Sequence, residues 1–140
     1  MDIRSSVSSS NKKIQMLVVD DDPRIRHVFG RIADRMDYHP IMARNASDAL
    51  AVIRKGEVDL MLLDLNMPVV DGLELLNILR RYKLKVPTVI VSAFISSRAL
   101  SKLYHFGIKN ILSKPFKLGR LQDEIQMVLQ DQEGMVREPA

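Results

Sequence analysis

Asp20, Asp21, Asp64, Ser92 and Lys114 are the residues of this chain whose types and placement could do chemistry, because each stands where a short apolar run stops. Met16-Leu17-Val18-Val19 runs into Asp20-Asp21-Asp22, and Leu60-Met61-Leu62-Leu63 into Asp64. Thr88-Val89-Ile90-Val91 runs into Ser92, and Ile111-Leu112-Ser113 into Lys114-Pro115. Such runs read as buried strands, and polar residues repeated at the C-terminal ends of parallel strands are where open α/β sheets hold ligands. Three carboxylates brought together repel one another, so that without compensation at least one titrates with a raised pKa. A divalent cation removes the conflict, and oxygen-only ligands with no His or Cys nearby favour Mg²⁺ or Mn²⁺ over zinc. In such a site Asp64 can act as a nucleophile toward phosphorus, giving an aspartyl phosphate. The metal at Asp21 and Asp64 would neutralise one transferred oxygen and the Lys114 ammonium a second. The Ser92 hydroxyl, with nearby backbone N–H groups, would take the third.

The rest of the chain supplies elements to position these residues. Asp22 can cap a helix that starts at Pro23, with Ile25, Val28, Phe29, Ile32, Ala33 and Met36 at helical spacing. A short extended piece at His39–Ala43 precedes a helix opening at Asn45 or Ala46 and closing at Gly56. A buried strand over Asp59–Leu63, a loop marked by Asn66-Met67-Pro68 and Asp71-Gly72, and a third helix with Leu73, Leu75, Leu76, Ile78 and Leu79 follow. Pro87 starts the fourth strand. A less amphipathic helix over Ser97–His105 ends at Gly107. A strand at Lys109–Leu112 and a last helix with Leu118, Leu121, Ile125, Val128 and Leu129 inward complete the order. The pattern is (βα)5, with strand ends near 20, 43, 64, 92 and 113. Strands apolar on both faces at that spacing predict a doubly wound, wholly parallel α/β sheet of flavodoxin-like order 2-1-3-4-5, with Asp64 central.

With 140 residues and 46% hydrophobic content, one globular domain with a full core is expected. Residues 1–13 are serine-rich without apolar periodicity and read as a disordered tail, 14–131 as the domain, and 132–140 as a tail or linker stump. The absence of cysteine is compatible with a reducing cytoplasm. No signal-peptide h-region and no stretch near the roughly 18 apolar residues of a membrane span are found, so neither secretion nor membrane insertion is expected. The net charge of +4 is thinly spread, a weak footprint for nucleic acid. Its one concentration, Arg80-Arg81-Tyr82-Lys83-Leu84-Lys85, reads as cations complementing a helix C-terminus, with a docking patch for an acidic partner as the alternative. His27, His39 and His105 lie at no strand end and read as surface residues, and the eight methionines as packing.

Taken together, Val18-Val19-Asp20-Asp21-Asp22-Pro23, Leu62-Leu63-Asp64-Leu65-Asn66-Met67-Pro68-Val69-Val70-Asp71-Gly72, Val91-Ser92-Ala93 and Ser113-Lys114-Pro115-Phe116 resemble the receiver domain of two-component response regulators. The resemblance spans about residues 14–131. It implies phosphorylation of Asp64 by a histidine kinase or histidine phosphotransfer protein, with Ser92 and Lys114 assisting. It also implies Mg²⁺ held by Asp21, Asp64 and the Asn66 backbone carbonyl, with Asp20 acting mainly through water. A signalling domain that modifies only itself, a downstream partner protein and no direct nucleic-acid contact follow, and a phosphorylation-dependent dimer is compatible with it. A stand-alone receiver is expected, with a fragment of a longer regulator as the other reading.

Two positions depart from the family pattern. Ile111 stands where an aromatic usually couples to the Ser/Thr hydroxyl, so the expected signal is displacement of the loop after strand 4. Phe94, two residues after Ser92, is expected to shield an acyl phosphate from water. A haloacid-dehalogenase-type phosphohydrolase also uses an aspartyl phosphate, but Asn66 stands where its acid would be. A non-phosphorylated interaction module on the same fold would be expected to have lost an acid or the lysine. A nucleotide binder is disfavoured by the carboxylates and the lack of a Gly-rich loop.

Overall fold

A computed structural model describes residues 12–137. Most of the tail expected over 1–13, and residues 138–140 of the C-terminal segment, lie outside the described residues. Five strands, β1 (Gln15–Val19), β2 (His39–Ala43), β3 (Leu60–Leu63), β4 (Thr88–Ser92) and β5 (Ile111–Ser113), alternate with five helices. These are α1 (Pro23–Arg35), α2 (Ala46–Arg54), α3 (Gly72–Arg81), α4 (Ser97–His105) and α5 (Leu118–Arg137). The strands pair in parallel in the order β2-β1-β3-β4-β5, the doubly wound arrangement expected from their spacing.

Alternation along the strands explains why both faces are apolar. Met16, Val18, Leu60, Leu62, Val89, Val91 and Leu112 point to one side, where Phe29, Ile32 and Ala33 of α1 and Leu121, Ile125 and Val128 of α5 cover them. Leu17, Val19, Met61, Leu63 and Ile90 point to the other, against α2, α3 and Leu103 of α4. A strand buried on both faces has no solvent side, hence the continuous apolar runs. Glu124 is the exception in this layer: it is buried, accepts a hydrogen bond from Asn110 Nδ2 at 3.0 Å, and pins α5 to the start of β5.

Local chemistry sets the helix starts. Asp22, Asn45, Asp71 and Ser96 each accept a backbone N–H of the first helical turn, and Pro23 occupies the first position of α1. Gly56 (φ +77°) and Gly107 (φ +82°) follow the ends of α2 and α4, in the left-handed conformation glycine adopts without strain. Strand edges shift slightly from expectation. β3 begins at Leu60, although Asp59 N–H still donates to the Gln15 carbonyl (2.9 Å) while its carboxylate accepts Gln15 N–H (2.8 Å), and β5 begins at Ile111, although the Asn110 carbonyl still accepts Ile90 N–H (2.9 Å). None of the helices among the described residues is long and apolar enough to cross a membrane.

Gly72 fixes how α3 approaches the sheet. A β-carbon there would lie 2.6 Å from the Asp64 carbonyl oxygen and 2.9 Å from Leu65 Cα, both backbone atoms. The first turn of α3 therefore rests on the backbone at Asp64, held by Gly72 N–H to the Leu65 carbonyl at 3.2 Å. Gly72→Ala must push α3 off this seat and is expected to cost about 1–3 kcal/mol. The urea midpoint checks this: it should fall with an unchanged m-value, and an unchanged midpoint would contradict the close approach.

Candidate phosphoacceptor site

The ladder continues one residue beyond the strands and carries the functional side chains with it. Asp20 N–H donates to the Ala43 carbonyl (3.1 Å), Asp64 N–H to Val19 (3.0 Å) and Lys114 N–H to Ser92 (2.9 Å). Since Val19 lies opposite Leu63 and Ser92 opposite Ser113, the parallel register alone brings Asp20 beside Asp64 and Lys114 beside Ser92.

Each buried acid is then oriented by its own backbone. Asp20 Oδ1 accepts the N–H of Asp22 at 3.0 Å, and Asp64 Oδ1 that of Asn66 at 3.1 Å, two turns in which the side chain caps the residue two positions on. The Ser92 hydroxyl donates to the same Asp64 Oδ1 at 2.9 Å. The second oxygens face Lys114, whose Nζ lies 2.8 Å from Asp20 Oδ2 and 3.7 Å from Asp64 Oδ2. Burial pushes the Asp20 carboxyl above its ordinary range, and the hydrogen bond from Lys114 opposes that rise.

Asp21 completes the group. Its exposed carboxylate offers an oxygen that, with one each from Asp20 and Asp64, forms a set lying within 4.8 Å of one another. One lysine against three carboxylates leaves an excess of negative charge on oxygen-only donors, and Asp21 has no ion pair among the described residues. The donor set and its charge fit a hard divalent cation such as Mg²⁺.

All five residues singled out at the strand ends therefore converge, and Asn66 joins them in a way the sequence did not signal. Its amide Nδ2 donates to Ser92 Oγ at 2.8 Å and to the Phe94 carbonyl at 3.1 Å, tying the loop after Asp64 to the loop after β4. Phe94 thus meets the site through its backbone carbonyl, and the residue as a whole is 69% exposed. Ile111 is half-buried against the α2–α4 layer. Also unforeseen is Val69, fully exposed with φ +70° at the centre of a three-residue turn closed by Val70 N–H to the Pro68 carbonyl at 2.9 Å. A β-branched residue there is strained, and the strain sits in the loop that Asp64 opens.

An acidic, oxygen-only cluster with a lysine and a hydroxyl at the strand ends of a 2-1-3-4-5 sheet defines a phosphoacceptor α/β domain. The sequence profile of the response regulator receiver domain matches residues 16–126, and the chain belongs to that family. It is 32% identical over 118 residues to the sensor histidine kinase RcsC of Salmonella typhi, covering 84% of this chain but only 12% of that protein. It is 28% identical over 119 residues to sporulation initiation phosphotransferase F of Bacillus subtilis, covering 85% of this chain and 94% of that protein. Among solved structures, the chemotaxis protein CheY4 of Vibrio cholerae superimposes with a TM-score of 0.77 at 27% identity, over 84% of this chain and all (100%) of that one.

Removing the lysine tests the electrostatics without any ligand. Lys114→Met leaves the two buried carboxylates unpaired, while the 18% exposure of the lysine side chain lets water replace part of the loss. A destabilisation of about 1–3 kcal/mol is expected in metal-free buffer, read by urea denaturation. Unchanged stability would mean that the cluster is not held by this pair.

Proposed function

We propose that Asp64 accepts a phosphoryl group from the phosphohistidine of a histidine kinase or histidine phosphotransfer protein, and that the loop between β4 and α4 reports its state to a partner protein. The observation that carries this reading is the setting of the Asp64 carboxylate: Ser92 Oγ at 2.9 Å on one oxygen, Lys114 Nζ at 3.7 Å from the other, and the Asp20/Asp21 pair alongside. An Asp64 oxygen attacks phosphorus, the P–N bond to the donor imidazole breaks, and the histidine leaves as neutral imidazole after protonation from solvent. Lys114 and the Ser92 hydroxyl are positioned to meet charge on the transferred oxygens. Mg²⁺, with Asp21, Asp64 and the Asn66 carbonyl as ligands and Asp20 through water, would when bound neutralise a further transferred oxygen. Such a donor belongs to the cytoplasm, which is where we place the chain's activity. The likeness to a phosphotransferase of similar length supports onward relay as one output.

A phosphohydrolase reading loses its remaining support at Asn66, whose amide is committed to Ser92 and Phe94 and cannot serve as an acid. Intact mass after incubation with acetyl phosphate tests the main reading. A Mg²⁺-dependent gain of one phosphoryl group is expected, absent in Asp64→Asn. No adduct, together with no binding of beryllofluoride, would overturn it.

The same hydrogen bonds suggest the route of the signal. A phosphoryl oxygen accepting the Ser92 O–H must take that proton from Asp64 Oδ1, and turning the hydroxyl moves the lone pair that accepts Asn66 Nδ2, which loosens the same amide's bond to the Phe94 carbonyl. With Ile111 offering only a packing change, the β4–α4 loop is then the element that moves. Structures with and without beryllofluoride are expected to differ at Ala93–Ser96 and the start of α4. An unmoved loop would refute this route.

A further inference from the structure

Opposite the acceptor, at the N-terminal ends of β4 and β5, lies a groove of about 960 Å³. Leu79, Leu84, Val86, Phe106 and Ile108 line it with apolar surface, and Arg80, Lys83, Lys85 and Lys109 line it with positive charge. Among the described lining residues the one acid is Asp131, which lies 3.9 Å from Lys109 and so compensates a single cation. Arg80 lies over the Phe106 ring, 5.6 Å from its centroid, joining charge to apolar surface.

Complementing the α3 dipole does not account for these cations. Three of the last four carbonyls of α3 already accept main-chain N–H groups, Ile78 from Tyr82 at 3.1 Å, Leu79 from Leu84 at 2.9 Å and Arg80 from Lys83 at 3.1 Å. Lys85 lies beyond the helix and Lys109 comes from a different connection. Lys83 also holds φ +58°, the conformation glycine takes after α2 and α4. A lysine there carries backbone strain that a glycine would not.

We propose that this groove docks an acidic protein segment that carries a large apolar side chain as an anchor. The apolar lining takes the anchor, and Arg80, Lys83 and Lys85, which form no ion pair among the described residues, take flanking carboxylates. A volume at the upper end of the usual 300–1,000 Å³ range for ligand pockets suits a side chain with its flanking backbone. Charge decides against self-occupancy by the N-terminal segment, where Arg4, Lys12 and Lys13 outnumber Asp2. Nucleic acid brings phosphates but no apolar side chain to bury. β4 separates the groove from Ser92 by about 13 Å, so a segment bound there leaves the acceptor open to its phosphodonor. The docking therefore does not depend on phosphorylation of Asp64.

The test is fluorescence polarisation on the unphosphorylated full chain, with a labelled nine-residue Asp/Glu peptide carrying a central Phe-Leu. Saturable binding is expected. Lys83→Gly combined with Lys85→Glu should weaken it at least tenfold, and the same peptide with Phe-Leu replaced by Glu-Glu should bind at least fivefold more weakly. Lys83→Gly alone should raise the melting temperature while weakening binding, which separates recognition from misfolding. Amide shift changes on titration should fall on residues 84–88 and 106–110. The proposal is overturned by absence of saturable binding, by shifts centred on Asp64, by indifference to the lysine changes, or by equal binding of a single-stranded oligonucleotide or phosphatidylglycerol vesicles.

Discussion

The ion pair between Lys114 and Asp20, 2.8 Å long and nearly closed to solvent, is the interaction on which the acceptor end of the molecule depends. Two carboxylates emerging side by side from adjacent central strands cannot both stay ionised in a buried site without a countercharge. The lysine supplies it from β5, at the far end of the sheet order, and by reaching past Ser92 to both acids it ties β1, β3 and β5 together at one edge. One cation is not enough for three acids. The deficit is left on the exposed side, at Asp21, which a cation can reach from solvent without opening the core.

Such a cluster can be held only by a rigid frame. The two apolar layers fix the strands, the strands fix the register, and Asp20, Asp64 and Lys114 each hang from a backbone hydrogen bond that extends the ladder by one position. The loops above the edge are tied differently, through side chains: Asn66 bridges Ser92 and the Phe94 carbonyl with one amide group. The sheet therefore holds the acceptor, and the loops that share its hydrogen bonds are the part our proposal sets in motion.

Much of this could be read from the chain because the relevant signals are local. A run of four apolar residues ending in a polar one marks a strand and its functional end together, and Asp22-Pro23, Asn45 and Gly107 mark helix boundaries at the residue where they occur. What could not be read depends on partners distant in sequence. The Asp59 carboxylate takes the N–H of Gln15, and the Asn110 amide bonds the buried Glu124 of α5. Asn66 was legible as a neighbour of the acceptor, but its hold on a carbonyl 28 residues away has no sequence signature. The left-handed Lys83 and Val69 were hidden for the opposite reason, since their residue types argue against the conformation they adopt.

The basic run at the end of α3 carries two readings, of which the sequence favours the helix dipole over docking. A helix C-terminus attracts cations within its last turn, and Arg80 and Arg81 occupy that turn. The chain then closes the helix with its own N–H groups, so the lysines beyond it face a groove rather than orphan carbonyls. Asp20, Asp21 and Asp64 follow β1 and β3 where the chain leaves the sheet, whereas Lys83, Lys85 and Lys109 precede β4 and β5 where it enters. A doubly wound sheet keeps those ends apart by the length of its strands, so a reaction at one and a contact at the other can coexist on a domain of this size.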